Sequence, residues 1–239
     1  MSPTDDPFDD PPWAMQLVAR AEKAAPPSHS AVCAATATAV VRLLTDPRAA
    51  DPDGEWHPFV HRWESGRIRK VTRRARGVRW PEVQALPGVT VEEDGAEVRA
   101  FVPGPVTEVP PEIAKLQVAG LELTDDPGDG GDSGGGGGDS GDTARKPLEP
   151  PYAVIALNPD VPMTTGKAAA QSGHAAHLLL RQAGAAAVQA WIEGGLRVRI
   201  ARDIPWRRCV KEATVAVRDA GFTEVPPRTM TAVGWIVTD

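Results

Sequence analysis

At 239 residues, with 41% hydrophobic and 24% charged positions, the chain has room for one large or two small domains with apolar cores. No run of about 20 apolar residues occurs, and the start, Met1-Ser2-Pro3-Thr4-Asp5-Asp6, has neither the basic region nor the apolar stretch of an export signal, so a cytoplasmic protein without membrane contact is expected. The formal charge of −6 argues against a nucleic-acid partner only until its distribution is read: eleven acids lie in residues 1–12 and 122–142, where no Lys or Arg occurs, and the rest of the chain holds 21 acids against 26 basic residues.

In chain order, residues 1–12 read as an acidic, disordered tail and residues 13–123 as a first folded domain. Within that domain, Trp13–Ala19 has the pattern of a strand and Ala31–Leu44 that of an Ala-rich helix. A stretch from Gly66 to Trp80 is strongly basic, and Val89–Val98 reads as a hairpin-like insertion around an Asp94-Gly95 turn. Residues 124–150 lose apolar character in favour of Gly and Asp. They are expected to be a flexible tether with a root-mean-square span of roughly 25–30 Å.

Residues 151–239 form the second expected domain. Tyr152–Leu157 reads as a buried strand and Lys167–Gln182 as a helix, with Thr164 or Thr165 placed to cap it. A turn containing Trp191 leads to a basic strand, Arg197–Ala201. Trp206, Cys209, Val210 and Ala213 recur at helical spacing, and Val215–Arg218 and Met230–Val237 read as closing strands around Pro226-Pro227. Cys33 and Cys209 both fall in apolar helical patterns, so free buried thiols are expected rather than a disulfide.

The two halves share anchors in the same order. Thr107-Glu108-Val109-Pro110-Pro111 recurs as Thr223-Glu224-Val225-Pro226-Pro227, Trp63 answers Trp191, Trp80 answers Trp206, and Pro12-Trp13 parallels Pro151-Tyr152. The fold class that follows is α/β: two tandem copies of a small mixed β-sheet domain with flanking helices, forming an intrachain pseudo-dimer.

At the start of the second helix, Lys167, Gln171 and His174 are spaced i, i+4, i+7 and so project from one face, close to first-turn N–H groups that suit a phosphate or an oxyanion. Gly166-Lys167-Ala168-Ala169-Ala170-Gln171-Ser172-Gly173-His174-Ala175, together with Arg218-Asp219-Ala220-Gly221-Phe222-Thr223-Glu224-Val225-Pro226 and Thr229-Met230-Thr231, resembles the two signatures of the type II peptidyl-tRNA hydrolases. The resemblance spans residues 152–238. It implies a four-stranded mixed sheet with flanking helices, and hydrolysis of the ester joining a peptide to the 3′ ribose of tRNA. It further implies Lys167, Gln171, Asp219 and Thr231 as the active-site residues. Lys167 would face the oxyanion or the terminal phosphate, Asp219 would orient a water or polarise Thr231, and Gln171 would position the acceptor end. The nucleophile is either Thr231 or a water held by Asp219 and Thr231. His174 divides evenly between a structural and a site-lining role, Thr223 is a further candidate lining residue, and His177 reads as structural.

In the first copy, Ser30, Ala34, Pro103 and Lys115 fall at the positions of the four active-site residues, which makes that copy an inactive pseudo-subunit. Its basic stretch, Arg67, Arg69, Lys70, Arg73, Arg74 and Arg76, with Arg197, Arg199 and Arg202 of the second copy, is expected to contact tRNA phosphates. No cofactor or metal is expected. The leading expectation is therefore a monomeric peptidyl-tRNA hydrolase with one active site per chain. The alternatives are a non-catalytic RNA-binding or regulatory protein, and an esterase acting on another acyl ester.

Overall fold

The computed structural model describes residues 11–125, 148–219 and 225–239. The acidic start up to residue 10, the Gly/Asp tract 126–147, and Thr223 within residues 220–224 lie outside the described residues.

The first half runs β1 (Trp13–Arg20), α1 (His29–Thr45), α2 (Pro47–Ala50), α3 (His57–Glu64), β2 (Lys70–Ala75), α4 (Arg79–Gln84), β3 (Gly88–Glu93), β4 (Ala96–Phe101), β5 (Gly104–Pro105) and α5 (Pro111–Ala114). The second runs β6 (Tyr152–Leu157), α6 (Thr165–Gln182), α7 (Ala185–Glu193), β7 (Val198–Ile200), α8 (Trp206–Glu212), β8 (Val215–Arg218) and β9 (Met230–Val237). The sheets are ordered β2-β1-β4-β3 and β7-β6-β9-β8, with the short β5 added on β1. In both, the first strand pairs parallel with the second and antiparallel with its other neighbour. The final hairpin is antiparallel in each.

Hydrogen bonds put the two sheets in register. Trp63 Nε1 donates to Arg69 O (3.1 Å), which also accepts from Met15 N (3.0 Å); Trp191 Nε1 donates to Arg197 O (2.8 Å), which also accepts from Ala153 N (2.9 Å). Met15 therefore matches Ala153, and Leu17 matches Ile155. Leu17 pairs with Ala100 and Ile155 with Gly234, and these pair in turn with Val89 and Val215. The hairpin Val89–Val98 is thus an integral part of the first sheet, not an insertion. Its two-residue turn closes through Asp94 and Gly95, both at positive φ (52° and 76°), as a turn matched to strand twist requires.

This register displaces one sequence anchor. Thr107–Pro111 follows β5 and leads into α5, whereas Val225-Pro226-Pro227 lies between β8 and β9, so the five-residue identity falls at unmatched places. The helix caps shift the comparison as well: Ser28 Oγ accepts from Ala31 N and Thr164 Oγ1 from Lys167 N, both at 3.2 Å. The residues matched to Lys167, Gln171, Asp219 and Thr231 are therefore Ala31, Ala35, Glu93 and Glu97, instead of Ser30, Ala34, Pro103 and Lys115.

Helices α1 and α6 lie against each other between the sheets, and their small side chains let the backbones approach closely. A Cβ built on Gly173 of α6 would stand 3.1 Å from Val40 Cγ2 of α1 and 3.3 Å from Lys70 Cδ of β2. The cores interpenetrate: Ala168 and Ala169 of α6 pack in the first half's core, and Ala37 and Val41 of α1 pack in the second's. Among the described residues no helix is long and apolar enough to cross a membrane.

Candidate active site

Lys167 and Gln171 sit one turn apart on α6, above the end of β8 and the start of β9. Lys167 Nζ pairs with Asp219 Oδ2, and Gln171 Nε2 donates to the same oxygen at 2.8 Å. Thr231 Oγ1 donates to Gln171 Oε1 at 2.9 Å, so Lys167, Asp219, Gln171 and Thr231 form one continuous hydrogen-bonded chain. The amide of Gln171 stands in the middle, with its nitrogen on the carboxylate and its oxygen on the hydroxyl. The expected direct polarisation of Thr231 by Asp219 is thereby replaced by a link through Gln171.

The backbone fixes Asp219 just where the ladder slips. Its N–H donates to Thr229 O (2.9 Å), its carbonyl accepts from Arg228 N (2.7 Å), and the β8/β9 register shifts between Val217 and Arg218. Arg228, at φ 67°, turns the chain back toward β9. An irregularity of this kind re-aims the side chain that follows it. The constellation is closed in: Asp219 is 8% exposed, Gln171 4% and Thr231 0%.

Two first-turn N–H groups of α6 are already engaged within the protein. Lys167 N is capped by Thr164 Oγ1, and Gly166 N donates to Leu121 O at 3.3 Å. Leu121–Asp125 lies as a strap across the heads of both long helices. Leu123 N donates to Thr165 Oγ1 (2.9 Å), which also meets His29 Nδ1 (3.0 Å), and His29 N donates to Thr124 O (3.1 Å). Asp125 Oδ1 accepts from both Ser30 N and Ser30 Oγ at 2.7 Å and so occupies the anion position at the head of α1.

His174 lies on the face that carries Lys167 and Gln171 but meets Lys70 of the first half, whose Nζ stands 3.4 Å from its Nδ1. Burial, then the Lys70 charge, holds its imidazole well below the usual histidine range. His177, expected to be structural, is buried and stacked on Trp63 at 5.3 Å, with Nε2 2.6 Å from Glu64 Oε1 and Nδ1 3.2 Å from Lys70 Nζ.

Most of the cations nominated for phosphate binding are engaged within the protein. Lys70 is buried beneath α6 and does not reach the surface. Arg73 bonds Gln16 Oε1 (3.0 Å) and Leu116 O (2.8 Å), Arg74 bonds Gln117 and Ala119 O, and Arg76 bonds Ala21 O (2.6 Å). Arg197 bonds Glu149 O (2.6 Å) and Gly194 O (3.2 Å). Arg199 pairs with Asp203, and Arg202 pairs with Asp125 at 3.3 Å. Arg67 is exposed and Arg69 half-buried. The exposed cations of α8, Arg207, Arg208 and Lys211, form a more open basic face than the β2 run. Glu64, which anchors His177, carried no signal in the sequence beyond being one acid on a short helix. Compared with known proteins, the chain matches no family model, and no curated protein matches it closely enough to count as a relative.

Proposed function

We propose that the chain is an esterase of the peptidyl-tRNA hydrolase type, cleaving the ester between a peptide and the 3′ ribose of tRNA. The observation that carries this reading is the linked Lys167–Asp219–Gln171–Thr231 chain, which joins residues far apart in sequence. Ester hydrolysis needs a held water and a cation near the developing oxyanion. Asp219 supplies a carboxylate acceptor for the water, and Lys167 a cation beside it. With its proton committed to Gln171, Thr231 orients the amide, and a water is the better nucleophile. The matched sheet topologies support a pseudo-dimer in one chain, whose first half has Ala31 and Ala35 where a site would need Lys and Gln.

The test is turnover of an N-blocked aminoacyl-tRNA. Asp219→Asn and Lys167→Ala should each lower it by roughly 100-fold or more, the scale for one preorganised electrostatic group. Wild-type turnover in both variants would end this reading. The near-complete burial of Gln171 and Thr231 favours a second one, a non-catalytic RNA-binding or regulatory protein in which the network ties α6 to the sheet. Under that reading the two variants lose stability, while tRNA binding persists and no hydrolysis is detected in any form.

A further inference from the structure

Glu64, His177, Lys70 and His174 form a second chain of polar groups, which crosses between the halves and to which the reaction proposed above assigns no role. Its directions follow from chemistry. A carboxylate only accepts, so at 2.6 Å from Glu64 Oε1 the Nε2 of His177 is the donor and its Nδ1 is left as an acceptor. The group facing that acceptor at 3.2 Å is Lys70 Nζ, which as an ammonium only donates, and His174 Nδ1 lies within reach of the same nitrogen at 3.4 Å. With Lys70 protonated, His174 then carries its proton on Nε2. That nitrogen has no hydrogen-bond partner among the described residues, and His174 is only partly buried.

Packing alone gives no reason for such an arrangement. Lys70 is 8% exposed, lies against Gly173 and 4.8 Å over the Trp63 ring, and reaches a carboxylate only through His177. Desolvating an ammonium without a direct counter-charge is unfavourable, and a methionine would fill the same slot without that penalty. Burial drives the Lys70 amine down to about 7, and the charge that remains is set against two imidazoles. Features that work against stability concentrate where they serve a site.

We infer that Lys70, supplied by the first half, is a positioning residue that locks His174 as an Nε2–H donor on the α6 face carrying Lys167 and Gln171. The substrate class for that donor is an oxygen acceptor: resting on the hydrolase reading, it is a hydroxyl or phosphate oxygen of the tRNA 3′ end. The site in the second half is thus incomplete without the first. His174 faces the Lys70 and His177 side chains and lies within electrostatic reach of Lys167, so it should remain neutral well below the usual histidine range.

The experiment is imidazole ¹⁵N NMR of the full chain. In the wild type, His174 should show a protonated Nε2 and a bare, hydrogen-bonded Nδ1 that stays neutral at pH 6. A protonated Nδ1, or a charged ring at that pH, overturns the inference without any variant. In Lys70→Met, His174 should lose the fixed tautomer and titrate nearer 6.5. The kcat should fall on the order of 10-fold at nearly constant KM, while the thermal midpoint is kept or raised. Unchanged His174 shifts and pH–rate profile in a folded Lys70→Met protein also overturn it. Failure of the hydrolase reading shows separately, as wild-type turnover in Asp219→Asn with the His174 tautomer intact.

Discussion

Asp219 Oδ2 receives two donors from one helix, the ammonium of Lys167 and the amide of Gln171, with side-chain exposures of only 13% for the lysine and 6% for the aspartate. Removing one member of such a buried pair leaves the other charge uncompensated, a loss of about 3–5 kcal/mol, whereas replacing both with apolar groups is often close to neutral. Lys167→Met and Asp219→Leu should each lower the urea midpoint, and the double variant should recover much of that loss; strict additivity would show that the two side chains are not coupled in solution. At this scale the sequence disclosed half of the site by periodicity: i, i+4 spacing alone puts Lys167 and Gln171 on one face. Asp219 and Thr231 came only through resemblance, because no spacing rule links a helix start to a hairpin some 50 residues away. Lys70 was misread for a physical reason. A cation run looks like a surface, but a strand turns alternate residues inward, and Lys70 faces α6.

Among the elements, the close approach of α1 and α6 depends on Gly173, which leaves no room for a side chain between Val40 and Lys70. Gly173→Val should lower stability by about 1–3 kcal/mol, the usual penalty of overpacking, read as a reduced midpoint in urea; an unchanged midpoint would mean that the interface is loose. On α8, the exposed Arg207, Arg208 and Lys211 are the better candidates for backbone phosphates. Replacing all three with Gln should flatten the slope of log affinity for tRNA against log salt by roughly 0.7–0.9 per lost contact, with turnover at saturating substrate unchanged. An unaltered slope would make α8 a solvated face only. Three strands of the second half were legible to the residue, because Tyr152–Leu157, Val215–Arg218 and Met230–Val237 are bounded by turn formers and rich in β-branched residues, while the basic strand expected over Arg197–Ala201 is shorter, Val198–Ile200. Helix α7 was read as a turn despite its Ala185–Ala187 start between Gly184 and Gly194, a helix-forming composition with visible boundaries. The Thr-Glu-Val-Pro-Pro repeat misled, because a shared turn chemistry can recur at unmatched points of one topology.

For the whole molecule, the interpenetrating cores mean that neither half has a complete interior of its own. The intact chain should sediment as a 25.3 kDa monomer, since joining the halves in one polypeptide holds them at an effective concentration near the millimolar range. Residues 150–239 alone should aggregate or dimerise, and a well-behaved monomeric fragment would show that the first half is dispensable for folding. Acidification should act at the same interface. Burial, joined by the Lys70 charge, outweighs the Glu64 carboxylate and pushes His177 down to about 4. The unfolded chain takes up that proton near 6.5 and the folded chain only near 4, so the His177 contribution to stability is full above about 6.5 and declines through that window, by up to about 3 kcal/mol. His177→Gln should flatten this acid limb in thermal melts at pH 7 and pH 4.5; identical limbs would place the titration elsewhere.

The Lys70–His177 contact has one more consequence, which concerns symmetry and heredity. At a true two-fold interface every contact occurs twice, because both faces are written by the same codons. Here the position matched to Lys70 is Val198, and the position matched to His177, counted from the helix caps, is Val41. The mirror contact is valine against valine, and both of these residues are buried. A self-paired chain could not hold an ammonium on one side of the axis and an aliphatic group on the other. Separate codons for the two faces allow one to be the donor and the other its acceptor, a contact that two identical halves would not reproduce.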